Sequence, residues 1–305
     1  MMVFLNGRLV PEAEAVVSVL DRGLAYGDGL FETFRVFGGR AFRWDAHLAR
    51  LREGVQALGY KLPYTNSELR TFASQLIREH KLKEGILRLV LTRGIGPEGY
   101  SPKGAENGSV SMSLHPAPEV DPEAPPAWRL VTSTHALRLN DPISKYKTCS
   151  RLTHVVARAE AEARDAQDAL MLTSNREIAS TATANLFWLR NGTVFTPSPA
   201  CGALPGVTRG VVLEICQELN IPSKKILLRA DLLRQSQGIF LTSTTWGVCE
   251  VISIDGYEVA RAGVVQELSR AYWDRVRPET THVHAPAAGT PAAAPAPAAA
   301  TEAAG

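Results

Sequence analysis

Two lysines, Lys145 and Lys147, stand two positions apart in "SKYKTCSRLTHVVARAEAEA" (144–163), immediately before a stretch with helical periodicity. In an extended segment, residues two apart share a face. A lysine whose pKa is depressed by burial is the amine that forms a Schiff base with a carbonyl compound. An ordinary lysine at such a position is a surface residue, and perturbed functional groups are the minority. Partners for an amine of this kind lie elsewhere in the chain. In "ALPGVTRGVV" (203–212), Gly206 permits a tight turn before Thr208 at the start of a predicted helix. Exposed amides at a helix N-terminus bind anions, phosphate above all. Taken alone, Thr208 is explained by capping. The stretch "LTSTTWG" (241–247) closes a strand with hydroxyls, where threonines ordinarily serve β-propensity. Together with a helix N-terminus, such hydroxyls would cradle a phosphate. Arg50, in "HLARLREG" (47–54), is either a solvated helical arginine or a bidentate, charge-assisted grip on a phosphate.

The elements that must position these groups are visible as patterns. Asn6-Gly7 and Gly38-Gly39, each between apolar runs, signal hairpins. Leu48, Leu51, Val55 and Leu58 recur at helical spacing behind Asp45 as cap, and Thr65 with Glu68 forms a capping box ahead of Leu69, Phe72, Leu76 and Ile77. "GILRLVLTRG" is a strand. "GIGPEG" (94–99) spells GxGxxG, but Pro97 and the following "YSPKG" interrupt the helix that a dinucleotide-binding turn requires, so it is a glycine-rich loop. Further on, "AWRLV", "ALMLT", "IASTATANLFWLRNGTVFTP" (folded at Asn191-Gly192) and "GIFLTSTTWGVCEVISIDG" are strands, and "GVTRGVVLEICQELN" is a helix. The helix after Lys147 places Leu152, Val155, Val156, Ala159 and Ala163 on one face, which predicts the face that packs on the core. The expected class is α+β (mixed α/β) in two domains, 1–118 and 127–277, joined by a proline-rich linker at 119–126. From 278 to 305 the Pro/Ala-rich composition predicts disorder.

Of the 305 residues, 45% are hydrophobic and 21% charged, with both signs interspersed and a net charge of +2. This balance excludes nucleic acid or an anionic membrane as an expected partner. Four scattered cysteines without CxxC pairs argue against a metal site and fit a reducing cytoplasm. No leader-like or membrane-spanning apolar run is present.

The segments "DRGLAYGDGLFETFRV" (21–36), "HLARL" (47–51), "KTCSRLTHVVARAEA" (147–161), "TANLFWLRNGTVFTP" (183–197), "ALPGVTRG" (203–210) and "FLTSTTWGVCEVISIDG" (240–256) resemble, in order and spacing, the class IV (fold type IV) aminotransferase family of pyridoxal-phosphate enzymes. The resemblance implies pyridoxal 5'-phosphate as cofactor and Lys147 as its anchor, with Lys145 a bystander. It implies Arg50, Val207, Thr208 and Thr244 around the phosphate. Phe31, Arg93 and Thr245 fall on the side of a small amino-acid-like substrate, and a homodimer is expected. One departure stands out. Family members usually read "TExxxANLF", with the glutamate facing the pyridine nitrogen, and this position is Ser180. Glu177, three residues earlier, points to the other face of a regular strand, and only a bulge would bring it round. "GDGLFETFR" and "LTRGIGPEGYSP" resemble the family's 4-amino-4-deoxychorismate lyase, although Glu98 stands where an arginine often lies. Branched-chain or D-amino-acid transamination is the alternative, and a non-catalytic protein retaining the fold is a third.

Overall fold

The computed structural model describes residues 1–281, and the statements below concern these. The Pro/Ala tract beyond them lies outside the described residues. The first sheet contains β1 (Met2–Leu5), β2 (Arg8–Pro11), β3 (Gly29–Phe37), β4 (Arg40–Ala41), β5 (Gly85–Thr92) and β6 (Val110–Pro116), in the order β2-β1-β6-β5-β3-β4. Its expected hairpins are present: Asn6 and Gly7 both take positive φ, as do Gly38 and Gly39. Period-two alternation in β5 sends Leu87, Leu89 and Leu91 to one face and Ile86, Arg88 and Val90 to the other. The buried face is covered by α2 (Trp44–Ala57) and α3 (Asn66–His80), through Leu48, Leu51, Leu69 and Leu76. The Thr65–Glu68 capping box forms as its spacing predicts. Asp45 does not cap α2. Arg43, in the left-handed region at φ 52°, precedes the helix, and Asp45 sits within the first turn, where its charge still meets the positive end of the helix dipole. A short helix, α1 (Arg22–Tyr26), leads into β3.

The second sheet is mixed. It joins β7 (Ala127–Thr132), β8 (Asp168–Leu172), β9 (Ile178–Thr181), β10 (Asn185–Arg190), β11 (Thr193–Pro197), β12 (Ser223–Ile226), β13 (Gly238–Ser243) and β14 (Gly247–Ile254) in the order β12-β11-β10-β13-β14-β7-β8-β9, with β15 (Tyr257–Glu258) hairpinned onto β14. The long apolar stretch before Asn191 breaks into two strands, because the chain leaves β9 after pairing with β8 and re-enters the sheet as β10 beside β13. Helix α5 (Val207–Glu218) and α6 (Gly263–Thr281) pack on one side through Val211, Val212, Ile215, Leu268 and Tyr272. Helix α6 continues through Pro278 to Thr281, into the stretch whose composition predicts disorder.

Helix α4 (Leu152–Glu162) overturns one expectation. Its core-facing residues are Ala157 and Ala161, packed against Val131 and Met171. The apolar stripe faces outward, with Leu152 at 74% and Val155 at 61% exposure. Small side chains let the helix sit close on β7 and β8, which turns its larger residues away from the sheet.

The two sheets meet where the lysine segment lies along the edge of β3. The Phe31 amide donates to the Lys147 carbonyl (2.8 Å) and the Cys149 amide to the Gly29 carbonyl (2.8 Å). Gly29 is needed for this approach: a Cβ there would lie 2.8 Å from the Leu91 carbonyl oxygen and 3.0 Å from Cys149 Sγ. Gly29→Ala is expected to cost about 1–3 kcal/mol of stability, the usual penalty of overpacking, and to weaken cofactor retention. Urea unfolding and the cofactor absorbance of the purified variant check both.

Candidate functional site

Lys147 and Lys145 share a sequence neighbourhood and little else. Lys145 is exposed, its ammonium against the Tyr146 ring at 5.2 Å. Lys147 is only partly accessible, and its ammonium rests 4.3 Å from the centroid of Phe31. Burial, and next the Arg50 guanidinium, push the Lys147 amine down to about 7, against the pull of Glu32. Arg151 braces the segment from behind, donating to the carbonyls of Tyr146 (2.8 Å) and Thr148 (3.2 Å). Cys149 remains a thiol, since burial raises its pKa.

Beneath Lys147 lies a buried charge cluster. Arg50, one turn beyond His47 on α2, donates from Nε to Glu32 Oε1 (2.8 Å) and from Nη2 to Glu32 Oε2 (2.6 Å). His47 Nδ1 lies 2.7 Å from the same carboxylate. Glu32 is fully buried on the α2 side of β3. Burial pushes its pKa up, but the hydrogen bond from His47 and the charge of Arg50 outweigh this, and it falls to about 2. His47 is shifted down by its burial. Arg50 Nη1 donates to the Pro205 carbonyl (3.0 Å), which ties α2 to the loop before α5. Hydrogens remain free on both terminal guanidinium nitrogens.

That loop ends at Gly206, which caps α5 without a side-chain hydrogen bond. A Cβ on Gly206 would fall 2.1 Å from Asn185 Oδ1, so any side chain there would displace Asn185. Asn185 in turn donates to the Leu204 carbonyl (2.8 Å) and pairs with Thr242 on β13. The amides of Val207 and Thr208, in the first turn of α5, have no intrahelical acceptor. Thr208 is 4% exposed. Thr242 carries a buried hydroxyl with no partner among the described residues. Thr244 and Thr245, half-buried, form the turn from β13 to β14, and the Thr245 carbonyl accepts from Arg35 (3.2 Å). Unpaired amides, an arginine with free N–H groups and adjacent hydroxyls fit a phosphate monoester. The nearby lysine of lowered pKa fits the aldehyde of pyridoxal phosphate.

Ser180 is buried on β9 and paired with Met171, on the side covered by α4. The register shifts between Met171–Ser180 and Leu172–Ile178, leaving Ala179 as the extra residue. The bulge returns Glu177 to the Ser180 face. Its carboxylate is nevertheless held in its own turn by the Thr173 hydroxyl (3.3 Å), while its amide donates to that hydroxyl (3.2 Å). Arg93 bonds through each nitrogen, as Arg50 does: Nε donates to Asp28 (2.8 Å), Nη2 to the Leu58 carbonyl (2.9 Å) and Nη1 to the Gly59 carbonyl (3.3 Å). Sequence reasoning passed over Glu32, His47 and Arg151. The signal for Glu32 was an acid inside the apolar run "LFETFRVF", and for His47 its place one helical turn before Arg50.

Because the folded pKa of Glu32 lies below its unfolded value near 4.5, its contribution to stability is full above that pH and is lost as pH falls toward about 2. Glu32→Gln strands Arg50 in the interior and is expected to cost about 3–5 kcal/mol at pH 7. In urea titrations the gap between wild type and variant should hold from pH 8 to 6, start to shrink below about pH 4.5 and close toward pH 2. An equal gap at all pH values would mean that the charge of Glu32 contributes nothing.

Residues 29–254 match the family model for amino-transferase class IV. A Methanocaldococcus jannaschii protein assigned by name as a branched-chain-amino-acid aminotransferase is 30% identical over 257 residues, covering 84% of this chain and 88% of that protein. The D-alanine aminotransferase of Bacillus licheniformis is 27% identical over 259 residues, covering 85% and 90%. Among solved structures, the branched-chain aminotransferase of Thermoproteus uzoniensis with norvaline superimposes with a TM-score of 0.83 at 27% identity, covering 90% of this chain and 94% of that one. Another branched-chain amino acid aminotransferase, solved with pyridoxamine 5'-phosphate, superimposes with a TM-score of 0.84 at 26% identity, covering 92% and 96%. With residues 29–254 matched and Lys147, its pKa lowered, set near Arg50 and the head of α5, the chain belongs to the class IV aminotransferase family of pyridoxal-phosphate-dependent enzymes.

Proposed function

We propose that the protein is a lyase that releases pyruvate and 4-aminobenzoate from aminodeoxychorismate. The observation that carries this reading is Ser180, in the position where the family presents a carboxylate to the pyridine nitrogen, with Glu177 held back by Thr173. Bound pyridoxal phosphate supplies an aldehyde for a primary amine and a pyridine ring that withdraws electrons. A serine does not hold that nitrogen protonated as a carboxylate does. An elimination that ends in an aromatic ring carries its own driving force and tolerates this loss. Transamination, which leans on the withdrawal throughout, does not.

In this reading Arg50, the amides of Val207 and Thr208, and the hydroxyls of Thr208 and Thr244 hold the phosphate between the 1–118 and 127–277 domains. Lys147 Nζ anchors the cofactor, then takes a proton from the substrate and returns one, as a base poised near neutral pH can. Phe31 and Thr245 wall the substrate side, and Arg93 supports that wall through Asp28. Branched-chain or D-amino-acid transamination is the second reading, favoured by the names of the relatives. The outward stripe of Leu152, Val155 and Val156 supports a homodimer that covers it. Four free cysteines support placement in a reducing cytoplasm.

The wild type should release 4-aminobenzoate from enzymatically prepared aminodeoxychorismate, and the cofactor-free protein should take up pyridoxal phosphate faster, by absorbance, as pH passes through about 7 and Lys147 loses its proton. Lys147→Met should abolish release. Keto-acid formation from D-alanine or leucine without any 4-aminobenzoate would establish the second reading instead. Val155→Glu places a charge in the outward stripe and should convert a dimer to monomer in light scattering, at unchanged helix content by circular dichroism. A variant that remains dimeric would move the interface elsewhere.

A further inference from the structure

Helix α2 carries His47 and Arg50 of the buried cluster, yet its N-cap residue, Arg43, makes no side-chain capping bond and takes φ 52°. A side chain in the left-handed region costs conformational free energy that glycine avoids. Such a residue persists where its surroundings over-determine it. Here the surroundings belong to the helices of the second sheet. The Arg43 guanidinium donates from Nη1 (3.3 Å) and Nη2 (2.8 Å) to the two carboxylate oxygens of Glu214 on α5. Nη2 also donates to Glu279 near the end of α6 (3.0 Å). Arg275 of α6 joins the same network, donating to Glu214 (3.4 Å) and to Glu218. Phe42, the residue before Arg43, is buried among Val211, Val212 and Tyr272, edge-on to the Tyr272 ring at 5.9 Å. The link from β4 to α2 thus follows the first sheet in sequence but packs with the second.

The place of this contact matters because of what the two helices carry. Arg43 stands about two turns before Arg50 on α2, and Glu214 about two turns beyond Val207 and Thr208 on α5. Arg50 Nη1 meets the Pro205 carbonyl ahead of α5 (3.0 Å). The helices are therefore tied at two points in opposite chain order, Arg50 to the head of α5 and Arg43 to its second turn. A single tie at Pro205 would leave α2 free to pivot. Two ties fix its direction across α5, and a two-pronged arginine–carboxylate pair is directional as well as attractive. The Arg43–Glu214 pair is half-exposed, at 24% and 46%, so salt screens it far more than the buried Glu32–Arg50 pair.

We propose that Arg43 is a positioning residue for the phosphate end of the cofactor site: by latching the start of α2 to Glu214 and Glu279, it holds Arg50 against the head of α5. The inference rests on the reading of Arg50, Val207 and Thr208 as phosphate donors, and it stands whether the protein is a lyase or a transaminase. The latch acts on the phosphate alone. It makes the grip on that group sensitive to ionic strength and leaves the rest of the cofactor untouched.

The test measures, by absorbance titration of the full chain freed of cofactor, the affinities for pyridoxal phosphate and for pyridoxal, its phosphate-free counterpart. It compares wild type, Arg43→Gln, Arg43→Lys and Glu214→Gln in about 0.05 M and about 0.5 M salt, either side of strong screening. At low salt Arg43→Gln should bind pyridoxal phosphate about threefold to tenfold more weakly than wild type, with pyridoxal affinity unchanged. At high salt the gap should close, because screening removes the latch from the wild type too. Arg43→Lys, which keeps the charge without the fork, should recover part of the loss. Glu214→Gln should reproduce part of the Arg43→Gln effect, and it carries the same comparison if Arg43→Gln fails to fold. Equal loss of both ligands marks a general destabilisation and overturns the proposal. A wild type that binds pyridoxal as tightly as pyridoxal phosphate removes the phosphate donors and the latch with them. A wild type that prefers the phosphate form, matched by Arg43→Gln at low salt, removes the latch alone.

Discussion

An amine held out of water, with no carboxylate of its own, cannot stay fully charged at neutral pH, and the site is arranged around that constraint. The segment that carries Lys147 is pinned to the edge of β3 by two amide–carbonyl bonds, one at Lys147 and one at Cys149. Its nearest buried acid, Glu32, is already claimed by Arg50 and His47. The lysine therefore feels the arginine's charge while the acid's charge is shared among three groups, and its pKa settles near 7. Had Glu32 paired with Lys147 directly, the amine would stay protonated and be a poor nucleophile.

The same cluster explains why the N-terminus of α5 and the amine lie within reach of each other. Buried ion pairs contribute little net stability when complete and cost several kcal/mol when broken. Their value here is geometric. Arg50 is fixed by two bonds to Glu32 on the first sheet and one to the Pro205 carbonyl beside α5 on the second. The arginine thus joins a strand of one sheet to the helix N-terminus of the other. Close backbone packing does the rest. Gly29 admits the lysine segment to β3, and Gly206 admits Asn185 to the turn before α5.

Much of this was legible in the linear pattern. Hairpins at Asn6-Gly7 and Asn191-Gly192, the Thr65–Glu68 box and the α5 start are local signals, set by φ/ψ preference and by hydrogen bonds within a few residues. The outward stripe of α4 was not legible. Helical periodicity identifies an apolar face but not which neighbour covers it, and the alanines on the other side were the ones small enough to meet the sheet. The bulge at Ala179 also escaped, because an extra residue in one strand is set by its pairing with another strand.

The sequence by itself determined the family and the cofactor and singled out Lys147, because motif order and spacing record chemistry that needs particular residue types. It also placed Arg50 on a helix and Thr208 at the head of one. Only the tertiary structure decided which groups are free to act. Arg50 and Arg93 look alike as isolated arginines, and each bonds through all three nitrogens, yet the partners of Arg93 are Asp28 and the Leu58 and Gly59 carbonyls, while Arg50 reaches across to the Pro205 carbonyl beside α5. Partnership of a charged side chain depends on groups brought together from distant positions, and no local pattern encodes it.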